Sequence, residues 1–177
     1  MRGPNPVRHL DGTSVLTVFY KGKEMKCFVD TTDFPIISGY RWHAVLKIRR
    51  FYAQTTVRKP DGRETSLQMH LLILSNVAQV DHKDRNGLNN RRKNLRPATS
   101  SQQAANQERR GNRHFTQFRG VTWHKGAGKF QAQIKVHGKN LYLGCFASEE
   151  EAARVYDSAV RKYFGEFANP NFSMEAA

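Results

Sequence analysis

Apolar and polar positions alternate along much of this chain, and the breaks in alternation mark its elements. Val15–Tyr20 and Met25–Val29 are apolar runs flanking Lys21-Gly22-Lys23, which predicts a hairpin. Phe51–Val57 alternates and then meets Lys59-Pro60-Asp61-Gly62-Arg63, a strong turn signal, so Thr65–Met69 is expected as the return strand. Trp42 is expected as a core or half-buried aromatic, and His43 as a surface residue. The apolar run Met69–Leu74 predicts a short helical turn.

Past residue 117 the pattern is sharper. Phe118–Trp123 reads as a strand and Gly126-Ala127-Gly128 as a hairpin turn. In Lys129–Val136, Phe130, Ala132, Ile134 and Val136 point one way, and Gln131, Gln133 and Lys135 the other. His137-Gly138-Lys139 is the next turn and Asn140–Phe146 a third strand. Ser148 to Glu151 has the form of a capping box. The helix that follows runs to about Phe164, with Ala152, Val155, Tyr156, Ala159, Val160 and Tyr163 at helical spacing and Gly165 as the C-terminal stop. The helix stripe should cover the apolar sheet face and leave the Gln and Lys face for a partner.

Charge narrows the partner. The 177 residues carry a formal charge of +14 and a pI of about 10.2. Such a surface favours a polyanion, nucleic acid first. No Asp or Glu occurs from Arg109 to Ser148, and the stretch Gln107 to His114 reads as a basic linker. Cys27 and Cys145 form no C-x-x-C pair, which argues against a zinc framework and fits a reducing cytosol. No apolar run approaches the ~18 residues of a membrane span. The first residues, M-R-G-P-N-P-V-R, lack the apolar core of a signal peptide.

Candidate chemistry is concentrated in V-D-H-K-D-R-N-G-L-N-N-R-R-K-N-L-R-P-A-T-S-S-Q-Q, residues 80–103. Asp81 and His82 set a carboxylate beside an imidazole. The first can hold a hard cation and the second can take a proton from water. The arginines around them suit a phosphate substrate, because the guanidinium fork matches phosphate oxygens.

M-H-L-L-I-L (Met69–Leu74) followed by V-D-H-K-D-R-N-G-L-N-N-R-R-K-N-L-R-P-A-T resembles the HNH endonucleases of the homing type, usually encoded in mobile introns or phage genomes. The resemblance implies a ββα-metal finger over about 69–106. Its strands would be Ala78–His82 and about Asn94 to Ala98, and its helix, N-capped by Thr99 or Ser100, would carry Gln102 to Asn106. It implies that Asp81 ligates one Mg²⁺ or Mn²⁺, that His82 is the general base, and that Asn94 braces the finger and helps hold His82. Arg91, Arg92 and Arg96 would contact phosphates. Nine residues after Asn94, where the family usually has Asn or His as second metal ligand, this chain has Gln103. Its carbonyl sits one methylene further out, so ligation with weakened metal affinity is expected. His70 is expected in a structural role, with phosphate orientation as the alternative. No structural zinc is expected.

F-R-G-V-T-W, K-F-Q-A-Q-I-K-V, L-Y-L-G-C-F-A-S-E-E-E-A-A-R-V-Y-D-S-A and A-N-P-N-F together resemble an AP2 DNA-binding domain, which lays a three-stranded sheet in the major groove. Matching DNA-facing positions are Arg119, Thr122, Gln133, Lys135 and Tyr142. Gln131 joins them by strand alternation, and Lys129 and Lys139 by charge and position. Phe118 replaces the usual Tyr. Thr122, Gln133 and Tyr142 stand where plant members often carry Arg, Glu and Trp, so the plant target sequence does not transfer.

The expected fold is α+β. A β-rich N-terminal segment supports the finger within a nuclease domain over 1–106. A linker over 107–116 leads to an AP2-like three-stranded antiparallel sheet on one helix over 117–172. The expected function is metal-dependent, site-specific or semi-specific cleavage of double-stranded DNA by a cytoplasmic monomer or homodimer, with no membrane partner. The alternative is a non-cleaving DNA-binding regulator with a degenerate finger. A structural or RNA-associated basic protein is a third reading.

Overall fold

The structure is a computed structural model, which describes residues 4–107 and 116–173. Most of the expected linker therefore lies outside the described residues. The chain divides into two compact units, Met1–Ala98 and Thr99–Ala177. The boundary between the units precedes the helix that carries Gln103. The fold is α+β, with several antiparallel sheets and few helices.

In the first unit, β1 (Val7–Leu10), β2 (Thr13–Tyr20) and β3 (Lys23–Asp30) form one antiparallel sheet. The β2–β3 hairpin turns at Lys21 and Gly22, with φ of 47° and 83°. Positive φ at both positions gives the mirror-image turn that matches strand twist. After β3 the chain forms a short helix, α1 (Phe34–Ser38), with Pro35 in its first turn. A second antiparallel sheet follows, made of β4 (His43–Lys47), β5 (Arg50–Arg58) and β6 (Glu64–Gln68). The expected return strand ends one residue early, because Met69 opens α2 (Met69–Ile73).

One core holds this unit. Leu16, Val18, Cys27, Val29, Trp42, Ala53 and Met69 are each at most 2% exposed. Trp42 is anchored at both ends: its indole N–H donates to the Ile37 carbonyl at 2.9 Å and its backbone N–H to Asn5 Oδ1 at 2.7 Å. His43 is exposed, as its sequence position suggested. The two-stranded pair β7 (Val80–His82) and β8 (Leu95–Pro97) lies at the end of the unit, with Asp81 opposite Arg96 and His82 opposite Leu95.

The second unit opens with α3 (Ser100–Asn106). Thr99 caps it, accepting from the Gln102 N–H while Gln102 Oε1 accepts from the Thr99 N–H. This reciprocal box occupies Gln102. Then β9 (Val121–His124), β10 (Lys129–Val136) and β11 (Lys139–Phe146) form a sheet in the order β11-β10-β9. It is backed by α4 (Glu149–Phe164), whose Ala152, Ala153, Tyr156, Ala159 and Val160 are buried, as are Ala132, Ile134 and Val136 of β10. At the N-terminus of α4 the Ser148 hydroxyl accepts from the Glu151 N–H, one of the two bonds of the expected box, while Glu149 accepts from the Gln117 backbone. Gly120 is required here: a Cβ on it would lie 1.9 Å from the Tyr156 ring. The tail is tied to α4 by the buried Asp157, which accepts from the Asn171 and Phe172 backbones.

Candidate functional site

The loop between β7 and β8 is built on polar side chains. Asp84 accepts from the Asn86 N–H at 2.8 Å and from Asn89 Nδ2 at 2.6 Å. Asn94 Oδ1 accepts from the Asp84 N–H at 3.0 Å, and its Nδ2 donates to Asp84 Oδ1 and to the Asn89 carbonyl. Asn94 therefore closes the loop. Burial raises the Asp84 carboxyl, but the bonds from Asn89, Asn86 and Asn94 outweigh it and hold the group below the ordinary carboxylate range. Gly87 seats the loop on β5, where a Cβ would lie 2.4 Å from the Phe51 carbonyl and 2.5 Å from the Tyr52 ring.

His82 is 4% exposed. Its Nε2 lies 3.3 Å from Asn90 Oδ1. The Asn94 bonds go to Asp84 and Asn89, so the described hydrogen bond to the imidazole belongs to Asn90. Burial lowers the His82 pKa against the opposing effects of Asn90, Asp84 and Asp81, which keeps the ring neutral near neutral pH. His70, on α2, packs edge-on against His82 with centroids 5.0 Å apart, and Tyr52 lies 5.8 Å from each ring. His70 is 5% exposed, and its Nδ1 has no hydrogen-bond partner among the described residues. Burial, then the nearby His82 and Lys47, push its pKa down to about 3.

Asp81 is 5% exposed and Arg96 7%. Arg96 donates to Asp81 Oδ2 from Nε at 3.0 Å and from Nη2 at 2.8 Å. The guanidinium expected on phosphate is thus buried against the carboxylate expected on metal. Arg92 is similarly engaged. Its Nε and Nη2 clamp the buried Asp33 at 2.7 to 3.0 Å, and its backbone N–H donates to Asp30. Arg91 Nε donates to Asn89 Oδ1 at 2.9 Å. Lys83 and Lys93 of the loop are exposed. Among the described residues no group of three or more His, Cys, Asp or Glu could hold an ion. A divalent ion at Asp81 would have one carboxylate and otherwise neutral oxygens, water and phosphate, a set that Mg²⁺ accepts. Gln103 lies half-buried on α3, in the second unit.

On the second unit, Thr122 pairs across the sheet with Gln131, Gln133 with Tyr142, and Lys135 with Asn140. These residues share the face opposite the buried Ala132 and Ile134. Tyr142 is 64% exposed, and Lys129, Lys135 and Lys139 are exposed. Arg119 is engaged elsewhere. Its guanidinium donates to the carbonyls of Ala105 at 3.0 Å, Asn169 at 3.2 Å and Gln107, closing the C-terminus of α3. A DNA contact by Arg119 requires release of those bonds. Asn90, Asp84 and Tyr52 were not singled out from the sequence. The N-G-L-N-N run carried a signal for Asn90, since a plain turn needs Asn-Gly but not the two further asparagines, whereas Asp84 and Tyr52 lie outside that run.

No family model matches the chain. The uncharacterized HNH endonuclease L560 of Acanthamoeba polyphaga mimivirus is 28% identical over 175 residues, covering 92% of this chain and 83% of that protein. The AP2-like ethylene-responsive transcription factor AIL7 of Arabidopsis thaliana is 54% identical over 59 residues, 32% of this chain and 12% of that protein. The APETALA2-like protein 2 of Oryza sativa subsp. japonica is 41% identical over 71 residues, 40% of this chain and 16% of that protein. The chain is thus distantly similar to an HNH endonuclease over most of its length and to AP2-like proteins over about a third. It spans a small fraction of the plant proteins' own lengths. Among the described residues no helix is long and apolar enough to cross a membrane.

Proposed function

We propose that this protein is a metal-dependent DNA endonuclease that cuts or nicks double-stranded DNA at specific or semi-specific sites, of the homing type borne by mobile introns or phage genomes. One observation carries the reading: a buried, neutral His82, held by Asn90 at one ring nitrogen and preceded by Asp81, in a chain similar over 92% of its length to a protein named as an HNH endonuclease. His82 takes the proton from the attacking water. Asp81 and Gln103 would hold the cation, Mg²⁺ or Mn²⁺, which would supply stabilisation of negative charge on the phosphate and the departing oxygen. Asn94 and Asp84 fix the loop that carries His82. The charge of +14 brings the chain to DNA. The β9–β11 face, with Thr122, Gln131, Gln133, Lys135 and Tyr142, meets the duplex, where Gln can pair with adenine and Lys can reach guanine or phosphate. One finger per chain makes nicking the outcome for a monomer.

The Asp81–Arg96 pair favours a second reading, a DNA-binding regulator that does not cut, because a buried carboxylate already paired with a guanidinium has no electrostatic need for a cation. Supercoiled plasmid and host DNA, incubated with Mg²⁺, Mn²⁺ or EDTA, separate the two. Nicking that needs metal and falls at least about 100-fold in His82→Ala supports the nuclease. Binding to a mapped site without cleavage in any metal supports the regulator.

A further inference from the structure

Four side chains of the first unit form a line: Met69, Cys27, Asn90 and His82. Cys27 Sγ lies 3.6 Å from Met69 Sδ, Asn90 Nδ2 lies 3.3 Å from Cys27 Sγ, and Asn90 Oδ1 lies 3.3 Å from His82 Nε2. Cys27, Met69 and Asn90 are fully buried. The backbone holds the line in register, because the Asn90 N–H donates to the Phe28 carbonyl at 2.7 Å and the Phe28 N–H to the Leu88 carbonyl at 2.8 Å.

The direction of each bond follows from which atoms carry hydrogens. A thioether sulfur only accepts, so the bond between Cys27 and Met69 must use the thiol hydrogen. The Cys27 sulfur then faces Asn90 as an acceptor, which selects the amide nitrogen of Asn90 as its partner. That fixes an otherwise ambiguous amide and turns its oxygen to His82. An amide oxygen only accepts, so His82 Nε2 must donate. We infer that Met69, Cys27 and Asn90 are positioning residues that set His82 in its Nε2–H tautomer, with Nδ1 as the nitrogen that takes the proton.

This deepens the reading of His82 as the base, since the hydrogen bond at one imidazole nitrogen decides which nitrogen carries the proton. Burial, against a smaller effect of the Asn90 bond, pushes the Cys27 thiol up to about 12, so the thiol keeps the hydrogen that the line requires. None of the three touches the reacting atoms in this assignment. Their effect passes through His82.

The test is nitrogen spectroscopy on the whole ¹⁵N-labelled protein, without metal or DNA, at a pH where the histidines are neutral. The His82 signals are identified among the seven histidines by their loss in His82→Gln. In the wild type we expect a pyrrole-type shift at Nε2 and a pyridine-type shift at Nδ1. In Met69→Leu, a volume-conserving change that a core tolerates, the thiol hydrogen loses its acceptor and can turn to Asn90. The amide can then flip, and the two His82 shifts should converge. Cys27→Ala should do the same by removing the amide's anchor. A purely structural role for Met69 would leave the tautomer untouched. The reverse pattern in the wild type, or an unchanged pattern in Met69→Leu, overturns the assignment. Because the readout involves no cleavage, a wild type that cuts no DNA would defeat the nuclease reading while leaving the tautomer measurable.

Discussion

The two units present polar chemistry in opposite ways. In the first, the working groups are buried: Asp81, His82, Asn94, Arg96 and His70 are all at most 7% exposed, with Arg96 bonded to Asp81, His82 to Asn90, and Asn94 to Asp84 and Asn89. In the second, Gln131, Gln133, Lys135 and Tyr142 stand on a sheet whose other face is the core. A buried polar network acts through exact partners and a low local dielectric, so losing one member is costly. An open polar face acts through charge and reach, and each member is nearly independent. Substitutions in the first unit should therefore appear first as stability, and those in the second as affinity.

The largest effect is expected at Arg96. Arg96→Ala leaves Asp81 buried without its guanidinium, which should destabilise the first unit by about 3–5 kcal/mol. Adding Asp81→Ala should recover much of that loss. The double-mutant cycle, read by denaturant unfolding, measures the coupling. A loss below about 1 kcal/mol in Arg96→Ala would mean that the pair opens readily and that the guanidinium can serve phosphate. Trp42 is 2% exposed and reports on this unit, while Trp123 is 37% exposed, so Trp123→Phe leaves a clean fluorescence signal.

The next effect is acid sensitivity. His70 titrates near 3 in the folded state and near 6.5 when unfolded. Between those values the unfolded chain binds the extra proton, so stability rises with pH. The neutral, buried ring is fully accommodated above pH 6.5, and stability is lost progressively as pH falls towards 3. The full loss is of order 5 kcal/mol. His70→Phe keeps a ring in the packing and should flatten this slope, with the remainder shared by His82 and Asp84, whose pKa values are also lowered. A slope unchanged by His70→Phe would place the acid sensitivity elsewhere.

These two predictions concern the part of the molecule that the sequence disclosed least. Strand alternation made β10 and its neighbours legible, because one face is buried and the period of two is strict. The β2–β3 hairpin was legible from Lys21-Gly22. The β4–β5 hairpin was not, because it turns on Ile48 and Arg49 at φ of 48° and 83°, with no Gly, Asn or Asp to announce it. In the site, Asp81, His82 and Asn94 were visible as a motif, but their partners were not. Arg96 reads as a phosphate ligand until β8 is seen placing it opposite Asp81. Cys27 and Asn90 meet across 63 residues of sequence, and no local pattern signals such a contact. Arg119 likewise reads as a surface cation until the α3 carbonyls are found around it.

The smallest effects are expected on the open face, where they test whether base reading and charge are separable. Gln133→Ala should change sequence preference by about 1–3 kcal/mol, because an amide paired with a base edge discriminates between bases. The slope of affinity against salt should stay the same, since no cation is lost. Lys135→Ala should weaken every duplex by a similar factor, costing about 1 kcal/mol and reducing the salt slope by about 1. Neither change should move the melting of the first unit, because both side chains lie on the second. Binding isotherms on several duplexes over a range of salt distinguish the two. If Lys135→Ala left the slope intact while Gln133→Ala lowered it, the sheet would not lie on DNA in the assumed orientation. The basic surface would then act only as a sequence-blind attraction.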